Sequence, residues 1–267
     1  MPSTITSRDN SLLKLARSVR DGKTRELIFV EGLRLAEEAL RSGLDIDAVI
    51  YSDEIAEKER AASFLKDVAK VAKKLAVVSE KLLATISYTK TPQGVVVLAR
   101  RPESDSGRLV TTPDMTPLLV VMHGINNPVN VGAILRSAEA AGASGVIATS
   151  HTSDPFSPKS LRGAMGSAFR LPIWFGPTYQ EAIGWCAQHN LKTVCAAVAA
   201  RKKFTEIDWT SPRALILGPE ATGLSAEEIQ AADEVVMIPM SGAVESLNVS
   251  VAAGILMYEA ARQRGSR

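Results

Sequence analysis

The chain has 267 residues, of which 46% are hydrophobic and 22% charged, and its formal net charge is only +2. This composition is that of an ordinary globular protein and excludes a strongly basic nucleic-acid binder. No apolar run reaches the roughly 18 residues that a membrane span needs. Cys186 and Cys195 lie in apolar segments without a CxxC pattern, and the histidines are scattered. We therefore expect a cytoplasmic protein with reduced cysteines, no membrane contact and no metal site.

The N-terminal part of the chain predicts a small α/β unit, because apolar residues recur at helical spacing between short apolar runs. The predicted helices span 10–20, 32–42, 56–73 and 79–85, and the predicted strands span 27–30, 46–51, 75–78 and 95–99. A Pro/Ser/Asp-rich run without periodicity follows. We predict a first domain of residues 1–103 and an interdomain linker of residues 104–117.

From Leu118 onward strands again alternate with helices, which predicts a second α/β domain of residues 118–267. Its first strand is apolar throughout, as expected of a parallel sheet that is covered on both faces. The predicted strands span 118–122, 146–149, 171–175, 192–197, 214–217 and 234–238, and the predicted helices span 132–141, 179–189 and 247–264, with a loop and short helix at 157–168. Ser225 is the predicted N-cap of a short helix, with Glu228 three residues later completing a capping box, and Ser246 is the predicted N-cap of the last helix.

Basic residues concentrate in three places. Residues 1–25 contain six of them, a lysine cluster spans 66–81, and residues 201–203 are consecutive bases. Such clusters can hold phosphate groups. Solvated helix faces and loops are an equally good interpretation of each cluster by itself.

Three loops, at residues 126–136, 217–223 and 238–248, follow apolar strands and lead toward helices. In an open parallel sheet such loops meet at the carboxyl ends of the strands and form a ligand crevice. No Gly-x-Gly-x-x-Gly or Gly-Lys-Ser/Thr phosphate motif is present. The polar Asn248 and Ser250 at the start of an apolar helix favour a ligand site, although a simple capped corner explains them equally well.

The loops read Asn-x-Gly-x-x-x-Arg, Leu-Gly-x-Glu-x-x-Gly-Leu and Ile-Pro-Met-x-Gly-x-x-x-Ser-Leu-Asn-Val-Ser. In order and spacing they resemble the motifs of the SpoU (TrmH-like) family of the SPOUT RNA 2′-O-ribose methyltransferases, over about residues 118–264. Residues 29–34, 37–40 and 93–96 are similar to the family's L30e-like substrate-binding domain. The resemblance implies a C-terminal parallel-sheet domain with a deep trefoil knot, although connections rarely thread loops.

The resemblance also implies S-adenosylmethionine as the methyl donor and a ribose 2′-hydroxyl as the acceptor. By motif position, the implied cofactor-binding residues are Gly218, Ile238, Pro239, Met240, Gly242 and Leu247. The implied catalytic residues are Asn130, Arg136, Glu220, Ser246 and Asn248, with Arg136 as the catalytic arginine.

The motifs contain no histidine, lysine or cysteine that could take the proton of the hydroxyl. Two roles for Arg136 are therefore open. It acts either as the base, as is proposed for the family, or as a clamp on an RNA phosphate that also stabilises the oxyanion. Charge and positioning are the physically favoured role. Helix capping is the alternative for Asn130 and Ser246, and a cap or surface carboxylate is the alternative for Glu220.

We expect methyl transfer to structured RNA, with 23S rRNA as the first-choice substrate and tRNA as the second. The alternatives are a catalytically inactive RNA-binding or ribosome-assembly factor on the same fold, and a base-nitrogen methyltransferase. Helix 247–264 is apolar nearly all round and needs two packing surfaces. Since the family is dimeric, we expect a homodimer through this helix.

Overall fold

The computed structural model describes residues 2–109, 116–242 and 245–265, and the chain divides into two compact units. The first runs to Pro102 and includes Phe156–Arg170; the second comprises Glu103–Pro155 and the chain from Leu171 onward. Residues 156–170, which the sequence assigned to the C-terminal domain, therefore pack with the N-terminal unit. Within the described ranges, no helix has both the length and the apolar character of a membrane span.

The elements alternate along the chain much as the sequence predicts. The strands are β1 (Ser3–Ile5), β2 (Leu27–Glu31), β3 (Ile46–Ser52), β4 (Lys74–Val78), β5 (Val95–Arg100), β6 (Leu118–Met122), β7 (Gly145–Ala148), β8 (Ile173–Phe175), β9 (Lys192–Ala196), β10 (Lys202–Lys203), β11 (Arg213–Leu217) and β12 (Glu234–Met237). The helices are α1 (Ser11–Arg20), α2 (Leu33–Arg41), α3 (Asp53–Ala56), α4 (Glu59–Val68), α5 (Glu80–Ala84), α6 (Pro128–Ala140), α7 (Pro158–Ala164), α8 (Ser167–Arg170), α9 (Tyr179–Gln188), α10 (Ala226–Gln230) and α11 (Val249–Gln263).

The first unit is a five-stranded mixed sheet in the order β1-β4-β3-β5-β2, with helices packed against it. Strands β1, β4 and β3 are parallel, and β5 runs antiparallel to β3 and β2. Phe29, Ile50 and Leu98 belong to its core. Helix α1 buries Leu13, Ala16 and Val19 at intervals of three residues, which leaves Lys14 exposed while Arg17 and Arg20 are half-buried.

The second unit is a seven-stranded sheet in the order β10-β12-β9-β11-β6-β7-β8, and all its neighbouring strands are parallel. Every residue of β6 and β11 is buried, as a parallel sheet covered on both faces requires. The predicted α/β class with a parallel C-terminal sheet is confirmed, while the trefoil knot stays a prediction. The chain leaves β6 toward β7 but leaves β11 toward β12 on the opposite side, so these adjacent strand ends form a switch point.

Several local predictions differ from the structure. Strands β1 and β10 were not predicted, α4 is shorter than the predicted helix 56–73, and α6 begins at Pro128 and not at residue 132. Helix α11 is capped by Asn248, whose Oδ1 accepts hydrogen bonds from the backbone N–H of Ser250 at 2.9 Å and from its hydroxyl at 2.6 Å. The predicted cap, Ser246, is exposed and precedes the helix; that prediction was wrong because Asn and Ser cap equally well. The predicted linker begins with a 3-10 helix, Ser106–Leu109, whose Leu109 is buried; residues 110–115 lie outside the described residues.

Candidate active site

The carboxylate of Glu220 joins the first and second loops. Its Oε2 accepts a hydrogen bond from the backbone N–H of Asn126 at 3.1 Å, and its Oε1 accepts one from Asn127 N–H at 3.3 Å. The side-chain amide of Asn130 donates to the same Oε1 at 3.0 Å. These donors stand at the start of α6, where free N–H groups and the helix dipole favour an anion.

These bonds also set the charge state of Glu220. Burial raises the pKa of its carboxyl, but the Asn130 amide and the backbone N–H groups of Asn126 and Asn127 outweigh burial, so the pKa lies below its ordinary value. Glu220 is therefore ionised at neutral pH. Its lone pairs are directed at the first loop, which makes it a poor proton acceptor and a good clamp.

Asn130 carries the connection on to the third loop. It is only 7% exposed, and its Oδ1 accepts a hydrogen bond of 3.3 Å from the Asn248 amide. The Oδ1 of Asn248 in turn caps α11. A continuous chain of Glu220, Asn130 and Asn248 thus links the three loops that the sequence singled out, and fixes the orientation of both amides.

Arg136 lies apart from the hydrogen-bonded residues Glu220, Asn130 and Asn248. At about 100° per residue it points roughly 240° around α6 from Asn130, and it shares a face with Val129, which is 46% exposed. Arg136 is itself exposed. Its guanidinium makes no hydrogen bond or ion pair with any residue that the structure describes. It is therefore free to bind a group from outside.

The third loop runs from the end of β12 to Asn248, and Ala243 and Val244 of its motif lie outside the described residues. The predicted site residues of this loop are all exposed or half-buried: Ile238, Pro239, Met240, Gly242, Ser246 and Leu247. The backbone groups of residues 240–242 and 245–247 form no hydrogen bonds with any residue in the described ranges. The backbone donors and acceptors of these described residues are therefore uncommitted, beside the apolar side chains of Ile238, Met240 and Leu247.

Gly218, at the end of β11, has a packing reason to be glycine. A Cβ there would lie 2.8 Å from Leu224 Cγ and 2.9 Å from the Leu224 nitrogen. The Gly223 N–H closes the turn by donating to the Pro219 carbonyl at 2.9 Å. The second loop is thus a tight turn that a side chain at position 218 would push open.

The sequence did not predict the polar cluster that His123 forms near this turn. His123 follows β6 and contacts Glu228, Thr149 and Tyr179. Glu228 was predicted only as part of the capping box with Ser225, which is confirmed. A histidine directly after a buried strand was the one available signal, but its partner lies 105 residues away.

A parallel α/β domain with three linked loops at its switch point, joined to a separate α/β unit, defines a class of ligand-binding α/β enzymes. The chain belongs to the SpoU rRNA methylase family, whose model matches residues 117–258. A second model, the MRM3-like substrate binding domain, matches residues 10–97. The family predicted from the sequence is confirmed.

Similar proteins include the 23S rRNA (uridine(2479)-2′-O)-methyltransferase of Streptomyces viridochromogenes, 32% identical over 92% of this chain and 86% of the relative. The 23S rRNA (guanosine-2′-O-)-methyltransferase RlmB of Shewanella oneidensis is 29% identical over 91% of this chain and 100% of the relative. Among solved structures, the AdoMet-bound rRNA methyltransferase from Sinorhizobium meliloti has a TM-score of 0.85, 31% identity and 97% coverage of both chains. The SpoU methyltransferase AviRb from Streptomyces viridochromogenes, in complex with AdoMet, has a TM-score of 0.87 and 29% identity, covering 96% of this chain and 99% of its own.

Proposed function

We propose that the protein transfers the methyl group of S-adenosylmethionine to a ribose 2′-hydroxyl of 23S rRNA, in the cytoplasm. Family membership and the named relatives support this activity. The observation that carries it is the hydrogen-bonded chain of Glu220, Asn130 and Asn248, which ties the three motif loops into one site; the uncommitted Arg136 lies on another face of the same helix, α6. An inactive RNA-binding factor is not favoured, because such a factor has no need for hydrogen bonds that join the three motif loops.

The third loop fits the cofactor. Its uncommitted backbone amides and carbonyls can pair with the donors and acceptors of an adenine edge, and Ile238, Met240 and Leu247 offer apolar surface that is half-buried or exposed. Gly218, Pro239 and Gly242 complete the proposed cofactor-binding residues. When bound, S-adenosylmethionine supplies an electrophilic methyl group on a sulfonium. The chain's part is to hold it between the second and third loops.

Arg136 acts on the RNA in this proposal. An exposed guanidinium without a protein partner is suited to bind an RNA phosphate bidentately and to stabilise negative charge on the attacking oxygen. A guanidinium gives up its proton very reluctantly, so we assign Arg136 to charge and positioning. Glu220, Asn130 and Asn248 hold the loops in register, and the exposed Ser246 hydroxyl is free to contact the RNA.

We also propose that the protein is a homodimer. Helices α6 and α11 pack side by side, and α11 buries Leu256 and Met257 on its inner face. Its outer face leaves Val251 50% and Tyr258 57% exposed, and α6 leaves Val129 46% exposed. Such a patch fits a second copy of the chain, which would then border Arg136.

Methyl transfer is tested with labelled S-adenosylmethionine and RNA from a strain that lacks the gene. Label is expected in 23S rRNA and not in tRNA. Transfer to tRNA alone would overturn the choice of RNA. Absence of transfer to any RNA, from a protein preparation that binds the cofactor, would favour the inactive factor.

A further inference from the structure

His123 occupies the junction beneath the proposed cofactor turn, residues 218–224. Its backbone N–H donates to the Leu217 carbonyl at 2.8 Å, which places the residue directly beside the end of β11. Its side chain is 12% exposed, and its ring lies 4.7 Å from that of Tyr179 at a tilt of 53°. The imidazole is thus packed into the sheet edge, below the turn.

Both ring nitrogens are engaged. Nδ1 lies 3.1 Å from the Thr149 hydroxyl, and Nε2 lies 2.9 Å from Oε1 of Glu228. The other oxygen of Glu228 accepts the N–H of Ser225 at 2.8 Å, and the Tyr179 hydroxyl donates to the Glu228 carbonyl at 3.0 Å. Glu228 is therefore fixed to the sheet edge from two sides, and the helix that follows the turn is fixed with it.

The turn itself has little support between its ends. Ala221, Thr222 and Gly223 are exposed, and the backbone bond that closes the turn is from Gly223 to Pro219. Glu220 attaches the front of the turn to the first loop, and Glu228 attaches the residues behind it to His123. Both attachments lead to the same segment, residues 123–130, which enters the helix that carries Arg136.

We infer that His123 and Glu228 are positioning residues for methyl transfer: their hydrogen bond holds the start of α10, and with it the turn 218–224, against the end of β6 and so keeps the turn shaped for S-adenosylmethionine. The identity of the ligand, S-adenosylmethionine, rests on the proposed function. The hydrogen bond acts through the turn and does not touch the reacting atoms. Its loss is expected to weaken cofactor binding and to leave the chemical step nearly unchanged.

The test compares His123→Leu, which fills the same space without a donor, with His123→Gln, whose amide can still donate to Glu228. His189→Leu is the matched control, because His189 also stacks on an aromatic ring, at 3.8 Å from Trp185, but at the far end of α9. Hydrogen–deuterium exchange of residues 218–224 is measured without cofactor, and affinity for S-adenosylmethionine is measured by calorimetry. His123→Leu should speed exchange and weaken binding roughly tenfold, raising KM for the cofactor more than it lowers kcat.

The proposed role would be supported if His123→Gln restored slow exchange and cofactor affinity toward the wild-type values and His189→Leu changed neither. Wild-type exchange and affinity in His123→Leu would overturn it. If His123→Leu does not fold, Glu228→Ala carries the test, with Ser225→Ala as its control because that change breaks the same helix cap. Wild-type protein that fails to bind S-adenosylmethionine would overturn the proposed function, while the exchange measurement would still decide whether this hydrogen bond holds the turn.

Discussion

Asn130 and Glu220 are joined by a hydrogen bond of 3.0 Å from the Asn130 amide to the carboxylate, across 90 residues of sequence. The bond exists because β11 lies directly beside β6, so the loops that leave the two strands meet. The same carboxylate holds two backbone N–H groups of the first loop. Whatever binds against the second loop is thereby placed in a fixed relation to helix α6.

Replacing Glu220 by Gln should lower kcat/KM for RNA methylation by about 10- to 100-fold. The neutral amide keeps one acceptor oxygen and turns an NH2 group toward donors, so the first loop loses part of its attachment. Glu227→Gln is the matched control, since this exposed neighbour on α10 makes no side-chain bond to the first loop. A Glu220→Gln enzyme with wild-type kcat/KM would show that the clamp is dispensable.

The hydrogen bond between Asn130 and Glu220 also predicts how the stability of the protein depends on pH. The pKa of Glu220 is lowered in the folded protein from its ordinary value of 4.5, because hydrogen bonds from Asn130, Asn126 and Asn127 outweigh burial. The stability from this ionised carboxylate is fully present above the unfolded pKa and is lost as pH falls through the folded pKa. The difference in unfolding free energy between wild type and Glu220→Gln should therefore be constant near neutral pH and shrink at acidic pH. Urea unfolding across this range checks it, and a difference that grows on acidification would contradict the assigned shift.

Arg136→Ala should lower kcat by about 100-fold or more while the Kd for S-adenosylmethionine stays near the wild-type value. The reason is that Arg136 is exposed and lies on a different face of α6 from Asn130, the residue that contacts Asn248 of the third loop. Calorimetry gives the Kd and labelled transfer gives kcat. Arg201→Ala, also exposed in the second unit, serves as control. Near-normal turnover of Arg136→Ala would remove this residue from the mechanism.

Val251→Glu should convert the protein to a monomer. A charge at the centre of the proposed interface would be buried without a partner in the dimer, which is costly. Light scattering coupled to size-exclusion chromatography measures the mass of each variant. Val198→Glu provides the comparison, because Val198 is 64% exposed outside this patch and should leave the mass unchanged. A wild-type protein with monomer mass at micromolar concentration would refute the dimer itself.

Arg264, just after α11, donates to the carbonyls of Thr116, Pro117, Trp209 and Ser211 at 2.7, 3.1, 2.7 and 2.9 Å. Arg264→Met should lower the free energy of unfolding by about 2–4 kcal/mol, because it removes several charge-assisted hydrogen bonds and leaves carbonyls unpaired. Arg262→Met, at a side chain that is 69% exposed, should have a much smaller effect in the same chemical denaturation experiment. Equal effects of the two changes would mean that the Arg264 bonds contribute nothing specific.

The sequence predicted the parallel sheet because the apolar residues of β6 leave no polar face on that strand. It also predicted which loops would meet, since the carboxyl ends of parallel strands share one edge. It did not reveal that β11 pairs with β6, because strand order depends on packing between distant segments. For that reason the partners of Glu220 were not identified, and Glu228 was interpreted only as part of a helix cap.

Two local features could not be predicted from the sequence: the cap of α11 and the unit to which residues 156–170 belong. Ser246 and Asn248 are both suitable caps, and only the packing of Asn248 against Asn130 decides between them. The segment 156–170 was assigned to the second domain by its place in the sequence, whereas contacts with β2 place it in the first unit. The cofactor-binding and catalytic assignments of individual residues stay predictions that the experiments above address.

The most direct test of the account is the chemical position of the transferred methyl group. After wild-type enzyme has acted on 23S rRNA from a strain that lacks the gene, nucleoside mass spectrometry should find one additional 2′-O-methylated nucleoside, and far less of it after treatment with Arg136→Ala for the same time. A methyl group on a base nitrogen or carbon would contradict the proposed ribose chemistry.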